Sequence, residues 1–243
     1  MFRIIRIIII FVTLIMAQTI AQAGDAALKR IMGFSPDGVY FTFEQYGIQD
    51  GSGFPYSEIF FINAKNNTWV VGTEPIRVVL QDETASLAQA RAVAIANATP
   101  TIKRLNTTLH GFTLVSNPIT QLDTDKYNAR FGIHPSAPTN NQYKIKLTTK
   151  NANSSKCNDF APDAKIFELE LTSLSAQYTF ETYVDTNLPT SRGCPIDYSI
   201  SDVHFFEAVN GDLVFMTFIN VMRYGFEGPD RRFMVIPFYV SNQ

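Results

Sequence analysis

Gly33-Phe34-Ser35-Pro36-Asp37-Gly38, running straight into Val39-Tyr40-Phe41-Thr42-Phe43, is the stretch that decides the fold class. Proline presets one turn dihedral and Asp-Gly supplies the tight reversal, so the first six residues read as a turn. The five that follow are all aromatic or β-branched, which is strand composition. Outward from there, Gly47 to Gly53 forms a long polar turn, and Glu58-Ile59-Phe60-Phe61-Ile62 is a second apolar strand. Asn66-Asn67 turns the chain into Trp69-Val70-Val71, and Pro75 precedes Ile76-Arg77-Val78-Val79-Leu80. Four strands joined by turns read as an antiparallel meander.

The composition then changes. Alanines at 85, 88, 90, 92, 94, 96 and 98 join Leu87, Gln89, Arg91 and Ile95. Alanine favours helix and disfavours strand, so one helix is expected near 84–97, with Ser86 and Gln89 as a capping box and Pro100 as its stop. Strict alternation returns in Tyr143/Ile145/Leu147, Phe167/Leu169/Leu171 and Tyr178/Phe180/Thr182/Val184, each set interleaved mainly with polar residues. These are strands with one face in the core and one in water. Lys144 and Lys146 against Glu168 and Glu170 suggest cross-strand ion pairs between neighbouring strands. Leu213 to Ile219 and Phe233 to Ile236 barely alternate, which implies strands covered on both faces. The hairpins at 31–63 and 205–240 echo each other. The expected fold is mainly β: an antiparallel meander with propeller-like blade elements or a β-sandwich, plus one alanine-rich helix near 84–97.

Charge and hydropathy narrow the class further. Twenty Lys+Arg stand against 22 Asp+Glu, a net charge of −2, with 46% hydrophobic and only 17% charged residues. A disordered chain needs the opposite balance. A general nucleic-acid binder needs clustered basic charge, which is missing. Met1 to Ala23 opens with Arg3 and Arg6, continues through the apolar Ile7 to Met16 and ends in Ala21-Gln22-Ala23. That is the pattern of a secretory signal peptide, and its apolar core is too short to span a bilayer. The expected product is residues 24–243 as one β-rich domain, periplasmic or secreted, with no transmembrane segment after cleavage. Cys157 and Cys194 are the only cysteines. In an oxidising compartment an even count reads as a disulfide, which stabilises by roughly 4 kcal/mol for a loop of this length.

Chemistry-bearing residues are sparse. Glu44, Tyr46, Asp50, Ser52 and Glu58 would gather at the end of the first hairpin if it closes, and Arg192, beside Cys194, could grip a carboxylate. These six are the candidate ligand-binding residues. Paired carboxylates also suit acid/base hydrolysis, which makes Glu44, Asp50 and Glu58 an alternative catalytic cluster. An EF-hand register on Gly53 puts Ile48 and Ile59 where acidic ligands belong, so that pattern fails. The three histidines are scattered singly and call for no metal. No G-x-S-x-G elbow, P-loop or H-E-x-x-H motif occurs, and nothing asks for a cofactor. Sequons at Asn66, Asn97, Asn106 and Asn153 matter only in a glycosylating host.

Two resemblances follow from these motifs. Phe34-Ser35-Pro36-Asp37-Gly38 before an apolar strand resembles the blade signature of TolB-type propellers, in which that turn joins two strands of a blade. A longer resemblance is to a family of bacterial predicted secreted proteins with a domain of unknown function. It is carried by Gly33 to Gly38, Phe43 to Gly47, Gln49 to Glu58, Ala85 to Ala92 and Ser191-Arg192-Gly193-Cys194-Pro195. That family implies export and brings no activity, cofactor or partner. The expected function is a non-catalytic binding module of the cell envelope, whose partner is an envelope protein or glycan. The alternative is a secreted hydrolase built on the three acids.

Overall fold

The computed structural model describes residues 24–242 apart from Glu181, so the leader expected at Met1–Ala23 lies outside the described residues. The described residues form three antiparallel sheets and one long helix. The N-terminal sheet holds β1 (Leu28–Phe34), β2 (Tyr40–Ile48) and β3 (Pro55–Asn63) as a meander. Two short strands, β4 (Thr68–Trp69) and β5 (Ile76–Val79), both pair with β3, at Ile62–Asn63 and Tyr56–Ile59 respectively. The run from Ile31 to Leu80 therefore ends not as a simple meander but with one interrupted edge.

The Ser-Pro-Asp-Gly turn closes through its own side chains. Asp37 Oδ1 accepts from Ser35 Oγ at 2.5 Å and from the Val39 N–H at 3.1 Å, while Ser35 Oγ accepts from the Tyr40 N–H at 2.9 Å. Gly38 takes φ +69°, the left-handed value that glycine adopts without steric cost.

An outer sheet repeats the N-terminal topology with β7 (Asn128–Gly132), β8 (Gln142–Asn151) and β9 (Lys165–Ser173). Its far edge is again two pieces, β10 (Tyr178–Thr179) and β11 (Tyr183–Val184), both on β9. The alternating run from Tyr178 to Val184 is thus two strands rather than one. The lysine and glutamate faces meet as their pattern required: Lys146 lies opposite Glu170, and Lys150 reaches Glu168 at 3.3 Å. The central sheet comprises β6 (Phe112–Ser116), β12 (Pro195–Glu207), β13 (Leu213–Tyr224) and β14 (Pro229–Val240), in the order β14-β13-β12-β6.

The layers stack as helix, N-terminal sheet, central sheet, outer sheet. The sheets lie face to face, as in a sandwich, and do not radiate like blades. β13 shows why its sequence does not alternate. Phe215, Ile219 and Val221 pack against Ile145, Leu169 and Leu171 of the outer sheet. Val214, Met216 and Phe218 pack against Phe41, Phe43 and Phe60 of the N-terminal sheet. Both faces of the strand are core, so both parities are apolar.

Helix α1 (Leu87–Leu105) covers the other face of the N-terminal sheet, laying Ala94, Ala98 and Leu105 on Ile59, Phe61 and Val70. Its start is the expected capping box, with Ser86 Oγ accepting from the Gln89 N–H and Gln89 Oε1 accepting from the Ser86 N–H. Its end is not where proline suggested. Pro100 sits inside the helix, which starts at Leu87 and runs eight residues past 97. A proline gives up one ladder bond, and here Thr99 Oγ1 donates to the Ile95 carbonyl at 2.7 Å beside that gap. Ile102 and Leu105 beyond it add apolar contact to the sheet, and Asn106, with φ 52°, ends the helix in the left-handed conformation.

Cys157 and Cys194 form the disulfide, with Cα atoms 5.7 Å apart. The bond ties the loop after β8 to the start of β12 over a small core of Ala152, Ala161 and Ala164.

Candidate functional site

The six candidate residues fall into three places. The first is the Asp50–Gly53 turn. Its glycines take φ +80° and +67°, and its polar groups are engaged in the fold. Ser52 Oγ donates to Gln49 Oε1 at 3.0 Å, and Asp50 Oδ2 accepts the Glu227 N–H at 3.0 Å. Asp50 thus pins the β2–β3 turn to the β13–β14 turn.

The second place is the interface between the N-terminal sheet and α1. Side chains on β2 alternate, so Thr42, Glu44 and Tyr46 face the helix while Phe41, Phe43 and Gln45 face the central sheet. Glu44 is fully buried there. Its carboxylate takes Arg91 Nε at 2.9 Å, Arg91 Nη2 at 2.8 Å and Ser57 Oγ at 2.9 Å. The same guanidinium lies 3.7 Å from the centre of the Tyr46 ring. All of these groups satisfy one another. Arg91 carried no signal in the sequence beyond its place on a helix.

The third place collects Glu58 and Arg192. Glu58 pairs across the strands with Gln45, not with Glu44, and so lies on the opposite face of the sheet from Glu44. It accepts Gln45 Nε2 at 2.7 Å and lies 3.4 Å from Arg77 Nε. Arg192 donates to Asp185 at 2.6 and 2.8 Å and to Tyr198 Oη at 3.3 Å, with its guanidinium 5.0 Å from the Phe167 ring. Burial, and then Asp185, push the Tyr183 hydroxyl beside it up to about 12.

Between these two groups runs an open groove of about 690 Å³. One wall is the N-terminal sheet, with Phe60, Ile62 and the half-exposed Trp69. The other is the outer sheet and the loop before β12, with Tyr183, Pro189 and Arg192. Consecutive β14 residues line it from Arg232 to Ile236, and a second hollow continues along Pro237 to Asn242. Successive strand side chains point to opposite faces, so a cavity touching every one of them lies along the strand's edge.

Backbone bonds confirm which groups face that edge. Arg231 donates its N–H to the Asp25 carbonyl at 2.8 Å and accepts from the Ala27 N–H at 3.0 Å. Phe233 donates to Gln45 Oε1 at 2.9 Å. Because β14 pairs with β13 without a register shift, the period of two puts the amides of Val235 and Tyr239 on the same outward edge. Pro237 falls at the outward position too, where its missing N–H costs no ladder bond.

Charge is concentrated at one end. Arg232 is matched by Asp25, Arg192 by Asp185 and Arg77 by Glu58. Arg223 lines the same end and makes no hydrogen bond or ion pair among the described residues. Burial, then the charge of Arg232, hold its guanidinium below its ordinary value. Asp230, opposite it across the strands, and Glu58 pull the other way without reaching ion-pair distance, so Arg223 is the one guanidinium lining the groove that has no bonded partner among the described residues. Sequence reasoning missed Arg223, Trp69 and the open edge. The available signals were the lone tryptophan beside a turn in an exported chain and Pro237, which marks its strand as an edge.

Residues 42–238 match the family described as Predicted secreted protein (DUF2259), and the chain belongs to that family. Export, read from the leader, agrees with the family description. No curated protein and no solved structure matches the chain. No helix among the described residues is long and apolar enough to cross a membrane.

Proposed function

We propose that this secreted protein is a non-catalytic binding module of the cell envelope that holds its ligand in the groove beside β14. The observation that carries this reading is Arg223, a partly buried cation with no hydrogen-bond or ion-pair partner among the described residues, set in a cleft walled by Phe60, Trp69 and Tyr183. A cleft of about 690 Å³ is the size that small ligands or short segments of larger ones fill. An aromatic wall with one guanidinium whose donors are free suits a ligand that is part apolar and part anionic. Its partner is an envelope protein or a glycan.

The hydrolase alternative needs two carboxylates within reach of one bond. Glu44 and Glu58 lie on opposite faces of a sheet, and Asp50 is bound at a turn, which favours the binding reading.

Trp69 is the only tryptophan in the chain, so its emission reports on the groove. Purified protein is titrated with peptide, glycan and lipid fractions of envelope extract. At least one fraction should shift the emission of the wild type and leave Arg223→Glu unmoved, with equal Tm in both proteins. If saturating amounts of every fraction leave wild-type emission and Tm unchanged, the binding reading falls.

A further inference from the structure

We propose that the groove takes an extended polypeptide segment as an added strand on the free edge of β14, with a carboxylate of that segment held at the Arg223 end. This rests on the binding-module reading and names the ligand.

The protein already shows such an addition on a small scale. Residues 25–27 lie against β14 as a short parallel stretch, bridged at Ala26 and Arg231 and held by two backbone bonds. That pairing stops where the chain leaves for β1. Gln45 then fills the next outward position, taking the Phe233 N–H. Beyond it the outward groups of Val235 and Tyr239, and the carbonyl of Pro237, have no partner among the described residues. Unpaired strand edges are templates for a further strand. Proteins usually cover or charge them, whereas here the edge lies at the floor of a walled groove, open along its length.

The walls suit a strand. An added strand sends alternate side chains to opposite faces of the central sheet. One set would meet Phe60 and Ile62 on the N-terminal sheet, the other Phe180 and Tyr183 on the outer sheet. The outward positions run from Val235 to Ser241, room for a segment of about 20 Å at the usual strand rise. Backbone bonds would supply affinity and the alternate pockets selectivity, as in other strand-addition sites.

The charge fixes one feature of the segment. Arg223 makes no hydrogen bond or ion pair among the described residues, with Asp230 opposite it beyond ion-pair distance, while its neighbours Arg232 and Arg77 are paired. A planar guanidinium and a carboxylate match through two parallel hydrogen bonds, stronger than neutral ones. An Asp or Glu side chain, or a free C-terminus, would supply that carboxylate. A carboxylated glycan would satisfy Arg223 as well, but it would leave the amides of β14 unpaired.

The test uses nine-residue peptides of alternating valine and threonine with blocked ends, carrying aspartate first or last. Asparagine twins, a form with an unblocked C-terminal carboxylate, and versions N-methylated at alternate residues complete the set. Trp69 emission reads binding, and amide exchange reads the β14 edge. At least one carboxylate peptide should bind about tenfold more tightly than its neutral twin, the size expected for one charge-assisted contact. Bound peptide should slow exchange at Val235 and Tyr239. N-methylation of one alternate set should abolish binding, and Arg223→Gln should erase the difference between aspartate and asparagine. Comparison of the blocked and free C-terminal forms tells side-chain from terminal carboxylate. Binding without protection of Val235 and Tyr239 overturns strand addition. Failure of all peptides, with oligogalacturonate shifting Trp69 emission, overturns the inference and leaves the binding module standing. Failure of peptides, glycan and envelope extract alike removes both.

Discussion

Arg91 clamps Glu44 through two parallel hydrogen bonds, Nε to Oε1 at 2.9 Å and Nη2 to Oε2 at 2.8 Å, joining the helix to a strand buried beneath it. Glu44 is fully buried, whereas the Arg91 side chain keeps 26% of its surface exposed. The two partners are therefore unequal. Removing the arginine strands a buried carboxylate with only Ser57 Oγ to bind it, while removing the carboxylate leaves an arginine that can turn to water.

Arg91→Ala should cost about 3–5 kcal/mol, the usual cost of an uncompensated buried charge. Glu44→Gln should cost less, and the double variant Arg91→Ala/Glu44→Gln less than Arg91→Ala alone. Urea unfolding of the three proteins checks the order. Equal losses from both single changes would contradict the inequality.

His204 sets a pH dependence. It is buried on β12 beside Thr113, and burial pushes its imidazole down to about 4 from the ordinary 6.5, against a smaller opposing pull from Asp202. The folded state keeps the ring neutral while the unfolded chain protonates it below about pH 6.5. Stability should therefore fall as pH drops from 6.5 to 4 and level off below that. The contribution is at most roughly 3 kcal/mol. His204→Phe, which fits beside the parallel Phe34 ring 5.9 Å away, should flatten that part of the Tm-versus-pH curve relative to the wild type.

The disulfide spans a sequence separation of 37 residues. Replacing Cys157 and Cys194 together by serine should lower stability by about 2–5 kcal/mol. Hydrogen exchange should rise first in 152–164, whose small alanine core is otherwise covered by the only partly buried Ile166, Leu188 and Ile196.

Asp25 is the anchor of the residues that begin the ladder on β14. Its carboxylate takes the Tyr56 hydroxyl at 2.8 Å and pairs with Arg232. Asp25→Ala should destabilise by roughly 3 kcal/mol, since the buried Tyr56 hydroxyl and the partly buried Arg232 guanidinium lose their acceptor. Faster amide exchange at Ala27 and Arg231 would show that the short strand has detached from the edge.

Ser86→Ala removes one half of the capping box and should cost about 1 kcal/mol. The helical circular dichroism of the folded protein should hardly change, because packing of Ala94, Ala98 and Leu105 keeps the helix in place.

The sequence by itself determined what depends on neighbours along the chain. The Ser35-Pro36-Asp37-Gly38 turn, the Ser86–Gln89 box and the alternating faces of β8 and β9 rest on contacts a few residues apart or on a period of two. Apolar runs at both parities of β13 told that it would be covered twice. Export and the Cys157–Cys194 bond followed from the leader and the count of cysteines. Pro100 was misjudged because its local cost is visible in sequence, while the sheet that keeps the helix going past it is not.

Only the tertiary structure decided which face of a sheet a given acid would meet. Glu44 and Glu58 stand on strands that pair directly, yet one faces a helix and the other a groove, because side chains on adjacent positions point opposite ways. Arg223 and Trp69 lie more than a hundred residues apart and become neighbours of one groove only when the N-terminal sheet stacks on the central one. A free edge is likewise a property of strand order: β14 is open because no further strand pairs with it among the described residues, and within β14 only Pro237, a residue sheets tolerate at an edge, hints at it.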